Sequence, residues 1–148
     1  MTTTIDRKAP AIARGSIQIE ASPETVWDIV SDIERWPEWN PDVTDAELHG
    51  SLAAGGTFTW KAGPGKIRSS LSEVDAPRRI AWTGKTLGIS AVHTWVIEPT
   101  ENGVELTTEE SWSGLPVRLF PGSSQRTLDK AVSTGLHAAK QAAETVRR

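Results

Sequence analysis

Histidine is the side chain whose ordinary pKa lies closest to neutral pH, and the chain has three, His49, His93 and His137, and no cysteine. The three lie in separate segments without metal-ligand spacing, and the lack of thiols removes disulfides and thiolate zinc sites. No G-x-S-x-G nucleophile elbow, Walker loop or dinucleotide fingerprint occurs, and Gly63-Pro64-Gly65 reads as a plain turn. Neither a metal nor a cofactor is therefore expected. What remains is one titratable pair, His93 and Glu110, and an aromatic complement of seven Trp, two Phe and no Tyr.

The pair is placed by strand alternation. In 88–98 one face carries Ile89, Ala91, His93, Trp95 and Ile97; in 104–113 one face carries Val104, Leu106, Thr108, Glu110 and Trp112. These are the better inner faces. A carboxylate on such a face calls for a partner, because burying its charge costs several kcal/mol. With Asn102-Gly103 as a two-residue type I′ turn, Glu101 pairs with Val104, His93 faces Trp112 and Trp95 faces Glu110. His93 and Glu110 are then diagonal neighbours, roughly 7–8 Å apart at the backbone. Pro99 supplies the alternative: if it ends the strand and the loop has five residues, the register moves by one and the faces conflict. Two roles stand side by side, a proton-transferring couple and a satisfied polar pair that orients a ligand or sits at a cavity mouth.

The elements that would hold this pair follow from local patterns. Gly15 to Glu20 alternates as a half-buried strand. Ser22-Pro23-Glu24-Thr25 starts a helix, with Ser22 as N-cap and Pro23 in its first turn, and Val26, Ile29, Val30 and Ile33 follow at helical spacing. Pro37 is expected to stop that helix and push Trp36 towards an extended backbone; Trp36 then plugs one end of the core, while Trp39, beyond the break, falls at a cavity rim. From Val43 to Trp112 regularly spaced turn residues describe an antiparallel meander, with strands near 43–49, 56–62, 66–74, 79–84, 88–98 and 104–113. A long helix from Ser123 to Arg147 carries an apolar stripe of Leu128, Val132, Leu136, Ala139, Ala143 and Val146, with His137 on the opposite side.

Such a helix is about 37 Å long but only about 10–12 Å wide, whereas seven strands span about 30 Å. The sheet must curl around the helix, and the alanines at 139 and 143 leave room for a cavity. The expected wall is Phe58, Trp60, Trp82, His93, Trp95, Glu110 and Trp112, with Trp39 at the rim. The segment Leu115 to Phe120 is too apolar to leave in water and reads as a lid, with Leu115 and Phe120 over the ligand, or as a docking surface.

A net charge of −3 with scattered basic residues carries no footprint for nucleic acid. No run of about 18 apolar residues offers a membrane span, and MTTTIDRKAPAIAR lacks the apolar stretch of a signal peptide, so a cytoplasmic protein is expected. Residues 1–14 read as a flexible tail and 15–148 as one ligand-binding domain.

The element order, with ASPETVWDIVSDIERWPEWNPDV, GTFTWKAG, APRRIAWTG, HTWVIEPTENG and EESWSG, resembles the polyketide cyclase/dehydrase branch of the SRPBCC, or START-like, superfamily over about residues 15 to 147. The resemblance implies an α+β helix-grip fold, in which a seven-stranded curved antiparallel sheet wraps around a long C-terminal helix and two short helices join strands 1 and 2. It also implies a deep hydrophobic cavity and small-molecule binding, but no single chemistry. The leading expectation is a binder of a small hydrophobic molecule, aromatic, polycyclic or lipid-like, acting as a monomer or homodimer. Beside it stand a cofactor-independent cyclase, dehydratase or aromatase-like enzyme using His93 and Glu110, and a stress or regulatory interaction protein.

Overall fold

The computed structural model describes residues 2–146; Met1, Arg148 and the expected last helical residue, Arg147, lie outside them. Seven antiparallel strands form one sheet: β1 (Ala11–Ile19), β2 (Asp45–His49), β3 (Thr57–Lys61), β4 (Lys66–Asp75), β5 (Arg79–Thr86), β6 (Ile89–Thr100) and β7 (Gly103–Ser113). Their order is β1-β7-β6-β5-β4-β3-β2, so the meander runs from one edge inwards and β1 returns beside β7. The chain crosses from β1 to the far edge through α1 (Pro23–Ser31), a 3-10 turn (Ile33–Arg35) and α2 (Trp36–Trp39). The Ser22 hydroxyl caps α1 by accepting from the Thr25 N–H.

After the one-turn helix α3 (Leu115–Leu119), α4 (Pro121–Val146) lies along β1, β7 and α1. Leu128, Val132, Leu136, Ala139 and Ala143 are buried there, while Val146, expected on the same stripe, is exposed. Gly15 permits the approach of α4, because a Cβ there would sit 2.7 Å from Leu136 Cδ1. The alanines thus allow close packing of α4 within the core. A bulge between Leu71 and Glu73 in β4 adds to the curl of the sheet.

Three expectations are corrected. β1 begins at Ala11 rather than Gly15, and the segment before it is tied down. Ile5 is buried, the Asp6 N–H donates to Ser111 Oγ at 3.0 Å, the Thr3 N–H to Glu73 at 2.9 Å, and Arg79 donates to the Thr3 carbonyl. This strap covers the outer sheet face, which explains why the outward Ala81, Thr94 and Ser111 are buried. Second, Trp36 is helical (φ −51°, ψ −41°) and Pro37 occupies the first turn of α2, where its missing N–H costs nothing. Proline thus starts a new short helix instead of ending an extended stretch.

Third, Thr100 pairs with Gly103, so Glu101-Asn102 is the two-residue turn and the β6–β7 register is offset by two from the expected one. An offset of two keeps every face and changes every partner. Gly103 serves a long-range contact: it has φ 153°, and a Cβ there would run into the Ile19 carbonyl oxygen. Pro99 stays in the strand opposite Val104. The Ile97 N–H, two residues earlier, bonds to the Arg78 carbonyl on the β5 side. The Pro99 nitrogen points the same way, beyond the end of β5, so no ladder bond is lost.

Candidate ligand site

The corrected register sets His93 directly opposite Glu110 on the inner face, with Trp95 opposite Thr108 and Ala91 opposite Trp112. His93 Nδ1 lies 3.4 Å from Glu110 Oε1, and each side chain is 12% exposed. On its other side His93 Nε2 is 2.8 Å from Thr108 Oγ1, and that hydroxyl donates to the Thr94 carbonyl at 2.9 Å. A threonine hydroxyl has one hydrogen. With it committed to Thr94, Thr108 accepts from His93, and the neutral imidazole carries its proton on Nε2. Nδ1 is therefore a bare acceptor, enclosed and without a hydrogen-bond partner. Burial pushes the His93 pKa below its ordinary value, and the Glu110 carboxylate only partly opposes that shift.

The carboxylate is held from behind. Trp112 Nε1–H donates to Glu110 Oε2 at 2.8 Å, which leaves Oε1 turned to the imidazole. Two acceptors thus face one another across 3.4 Å. Aromatic rings flank the imidazole: Trp82 lies 4.7 Å from the His93 ring centroid, and Trp95 stacks on it at 5.4 Å and 28°. α4 closes on Trp95 at Gly135, where a Cβ would be 3.5 Å from Trp95 Cη2.

The other expected wall residues are elsewhere or otherwise engaged. Phe58 is fully buried, and with Trp60 and Trp82 it surrounds Trp36, at centroid distances of 5.5, 5.4 and 5.1 Å. Trp60 Nε1–H donates to Ser69 and Trp36 Nε1–H to the Val30 carbonyl. Phe58 and Trp60 therefore belong to a plug of rings around Trp36, with Trp82 joining the plug to His93. Trp39 is half-buried, its Nε1 enclosed and unpartnered.

Leu115 and Phe120 are each 65% exposed and cover nothing; α3 instead buries Val117. The lid expectation fails because a one-turn helix anchored by one valine turns its remaining apolar side chains outward. Two surface hollows, of about 430 and 400 Å³, contain no aromatic residue, and the Trp-rich interior is occupied by ring packing. Sequence reasoning missed Thr108, which fixes the tautomer; an inward Thr reads only as a strand former. Among the described residues no group of three or more His, Cys, Asp or Glu could hold a metal, and no helix is long and apolar enough to cross a membrane.

A curved seven-stranded sheet closed on a long C-terminal helix defines the START-like helix-grip class. The chain belongs to the family described as polyketide cyclase / dehydrase and lipid transport, whose model matches residues 10–144. No curated protein matches it. Among solved structures it is similar to a hypothetical protein of Helicobacter pylori (17% identity, TM-score 0.82, covering 95% of this chain and 98% of that one). A START superfamily protein of Mycobacterium smegmatis is similar at 18% identity and TM-score 0.69, over 90% of this chain and 94% of that one. The di-domain ARO/CYC StfQ from the steffimycin biosynthetic pathway is similar at 16% identity and TM-score 0.77, over 93% of this chain and 52% of that one. At these identities the likeness is one of fold.

Proposed function

We propose that the protein binds a small hydrophobic molecule, aromatic, polycyclic or lipid-like, by a hydroxyl or similar donor that reaches His93 Nδ1 and Glu110 Oε1. The observation that carries this reading is the enclosed, unpartnered Nδ1 of His93, which faces Glu110 Oε1 across 3.4 Å with no donor between them. A buried acceptor without a hydrogen costs about 1–3 kcal/mol, and a ligand O–H recovers that. Trp82, Trp95 and Trp112 supply the apolar surface, and family membership agrees with a ligand of this class. Titration of tryptophan fluorescence with fatty acids, isoprenoids and aromatic polyketides, paired with native mass spectrometry, tests the reading. Saturable quenching and a one-to-one adduct with at least one class are expected; neither with any class overturns it.

A second reading is favoured by one specific feature, the locked tautomer that leaves Nδ1 unprotonated and facing Glu110. In a cyclase or dehydratase role, Nδ1 takes the proton α to a ketone in a β-hydroxyketone. The resulting enolate expels the hydroxyl group, which leaves as water on receiving that proton from His93; one C–H and one C–O bond break and a C=C bond forms. Glu110 stabilises the transient imidazolium. Unchanged turnover of such a substrate by His93→Ala and Glu110→Gln would remove this role.

A further inference from the structure

The end of the sheet where β6 begins gathers features that the ligand site does not use. Two turns and α3 meet there. A Cβ on Gly65, in the β3–β4 turn, would be 2.9 Å from Leu87 Cγ and Cδ1, and one on Gly88, in the β5–β6 turn, would be 3.4 Å from Pro116 Cδ of α3. On these converging tips Leu87, Leu115, Leu119 and Phe120 are 66, 65, 63 and 65% exposed. Beside them a hollow of about 400 Å³ is lined by Lys66, Arg68 and Lys85 together with Thr86 and Leu87. Arg68 and Lys85 are cross-strand partners, which brings like charges side by side. Among the described residues none of these three cations, nor Arg118 on α3, lies in an ion pair. The Thr86 hydroxyl is likewise without a hydrogen-bond partner. Lys61, the next cation on this edge, has Asp45 as its strand partner and is not counted.

We propose that this end docks on an anionic phospholipid bilayer, with the apolar tips entering the headgroup region and Lys66, Arg68, Lys85 and Arg118 held by lipid phosphates. Charge complementarity decides the occupant. A chain of net charge −3 has massed unpaired cations at one pole, and these border apolar side chains on protruding turns instead of a groove shaped for a helix or strand. Neither half suffices alone, since stable membrane attachment takes an apolar anchor plus a basic patch. The same pole is where β6 opens towards His93, four residues beyond Ile89. The docking surface nevertheless stands without the ligand reading and is tested without any small molecule.

The test is co-sedimentation of the full chain with vesicles of phosphatidylglycerol and phosphatidylcholine, and with phosphatidylcholine vesicles alone. Binding to the anionic vesicles only is expected, weakening as NaCl rises from about 0.05 to 0.5 M. Each cation near such a surface is worth about fivefold in partitioning. Lys66→Gln, Arg68→Gln and Lys85→Gln together should therefore lower partitioning about 100-fold, and Leu115→Ser, Leu119→Ser and Phe120→Ser together at least tenfold. All six positions are on the surface, and circular dichroism of the variants checks their folding. Equal binding to neutral vesicles, no binding, or unchanged binding by either triple variant overturns the proposal. So does a dimer, seen by light scattering, that the Leu/Phe variant dissociates while the wild type ignores vesicles. Saturation of the hollow by inorganic phosphate without competition from vesicles overturns it as well.

Discussion

Replacing Thr108 by Val removes one hydroxyl and leaves a methyl group in its place. In the native protein that hydroxyl accepts from His93 Nε2–H at 2.8 Å and donates to the Thr94 carbonyl at 2.9 Å, and Thr108 is fully buried. The Thr94 carbonyl has a second lone pair for its strand partners, so the penalty falls mainly on the Nε2–H, which loses its acceptor. A buried donor left unsatisfied costs about 1–3 kcal/mol, and in a domain of this size each kcal/mol lowers Tm by about 2–4 °C. A fall of roughly 2–12 °C is expected. The imidazole has one way to recover part of the loss: it moves its proton to Nδ1 and donates to Glu110 Oε1, 3.4 Å away. Long-range ¹⁵N–¹H correlation spectra of the histidines should therefore show His93 as the Nε2–H tautomer in the wild type and a shift towards Nδ1–H in Thr108→Val. Thr108→Ser, which keeps the oxygen, should preserve the tautomer and most of the stability. A Thr108→Val protein with wild-type Tm and an unchanged His93 pattern would refute the assignment of Thr108 as the positioning residue and, with it, the bare Nδ1.

Trp36→Ala removes the ring on which Phe58, Trp60 and Trp82 converge and should cost about 3–5 kcal/mol by denaturant unfolding. Trp39→Ala, at a half-buried position, should cost less and instead weaken ligand binding; equal stability losses with unchanged binding would assign both to the core. Acidification should destabilise the fold through His93, whose folded pKa lies below its unfolded value because of burial. Between those two pKa values the unfolded chain binds more protons, so this contribution is complete above about pH 7 and declines as pH falls through the ordinary histidine value near 6.5. Thermal melts from pH 7.5 to 5.0 should show a smaller decline in His93→Gln than in the wild type, and identical slopes would exclude His93 as the source.

The parts of this structure that obey a short period were legible from residues alone. Alternation placed His93 and Trp95 on one face of β6 and Glu110 and Trp112 on the matching face of β7, because a period of two survives any even error in register. The pairing itself was not legible. Asn102-Gly103 carries the signature of a turn, yet Gly103 is needed where the chain passes the Ile19 carbonyl, a contact between residues far apart in sequence. The same limit hid the strap around Ile5, whose partners lie on β4, β5 and β7, and the outward turn of Leu115 and Phe120. Thr108 escaped because its importance rests on one hydrogen and two acceptors, which no pattern of residue types records. Trp36 was read correctly as a plug, whereas the aromatic wall turned out to be largely the packing around it.

The central claim, that His93 and Glu110 form a recognition site for a donor on a hydrophobic ligand, is tested most directly by a matched pair of probes. Tryptophan fluorescence of the full chain is titrated with 1-naphthol and with 1-methoxynaphthalene, which differ in a single hydrogen-bond donor. A buried hydrogen bond to such an acceptor is worth about 1.5–3 kcal/mol, or roughly 10- to 100-fold in affinity. The naphthol should be preferred by at least tenfold in the wild type, and the preference should vanish in a His93→Leu, Glu110→Gln protein of wild-type fold. Equal affinity of the wild type for the two probes, or a preference that survives the double substitution, would contradict the account.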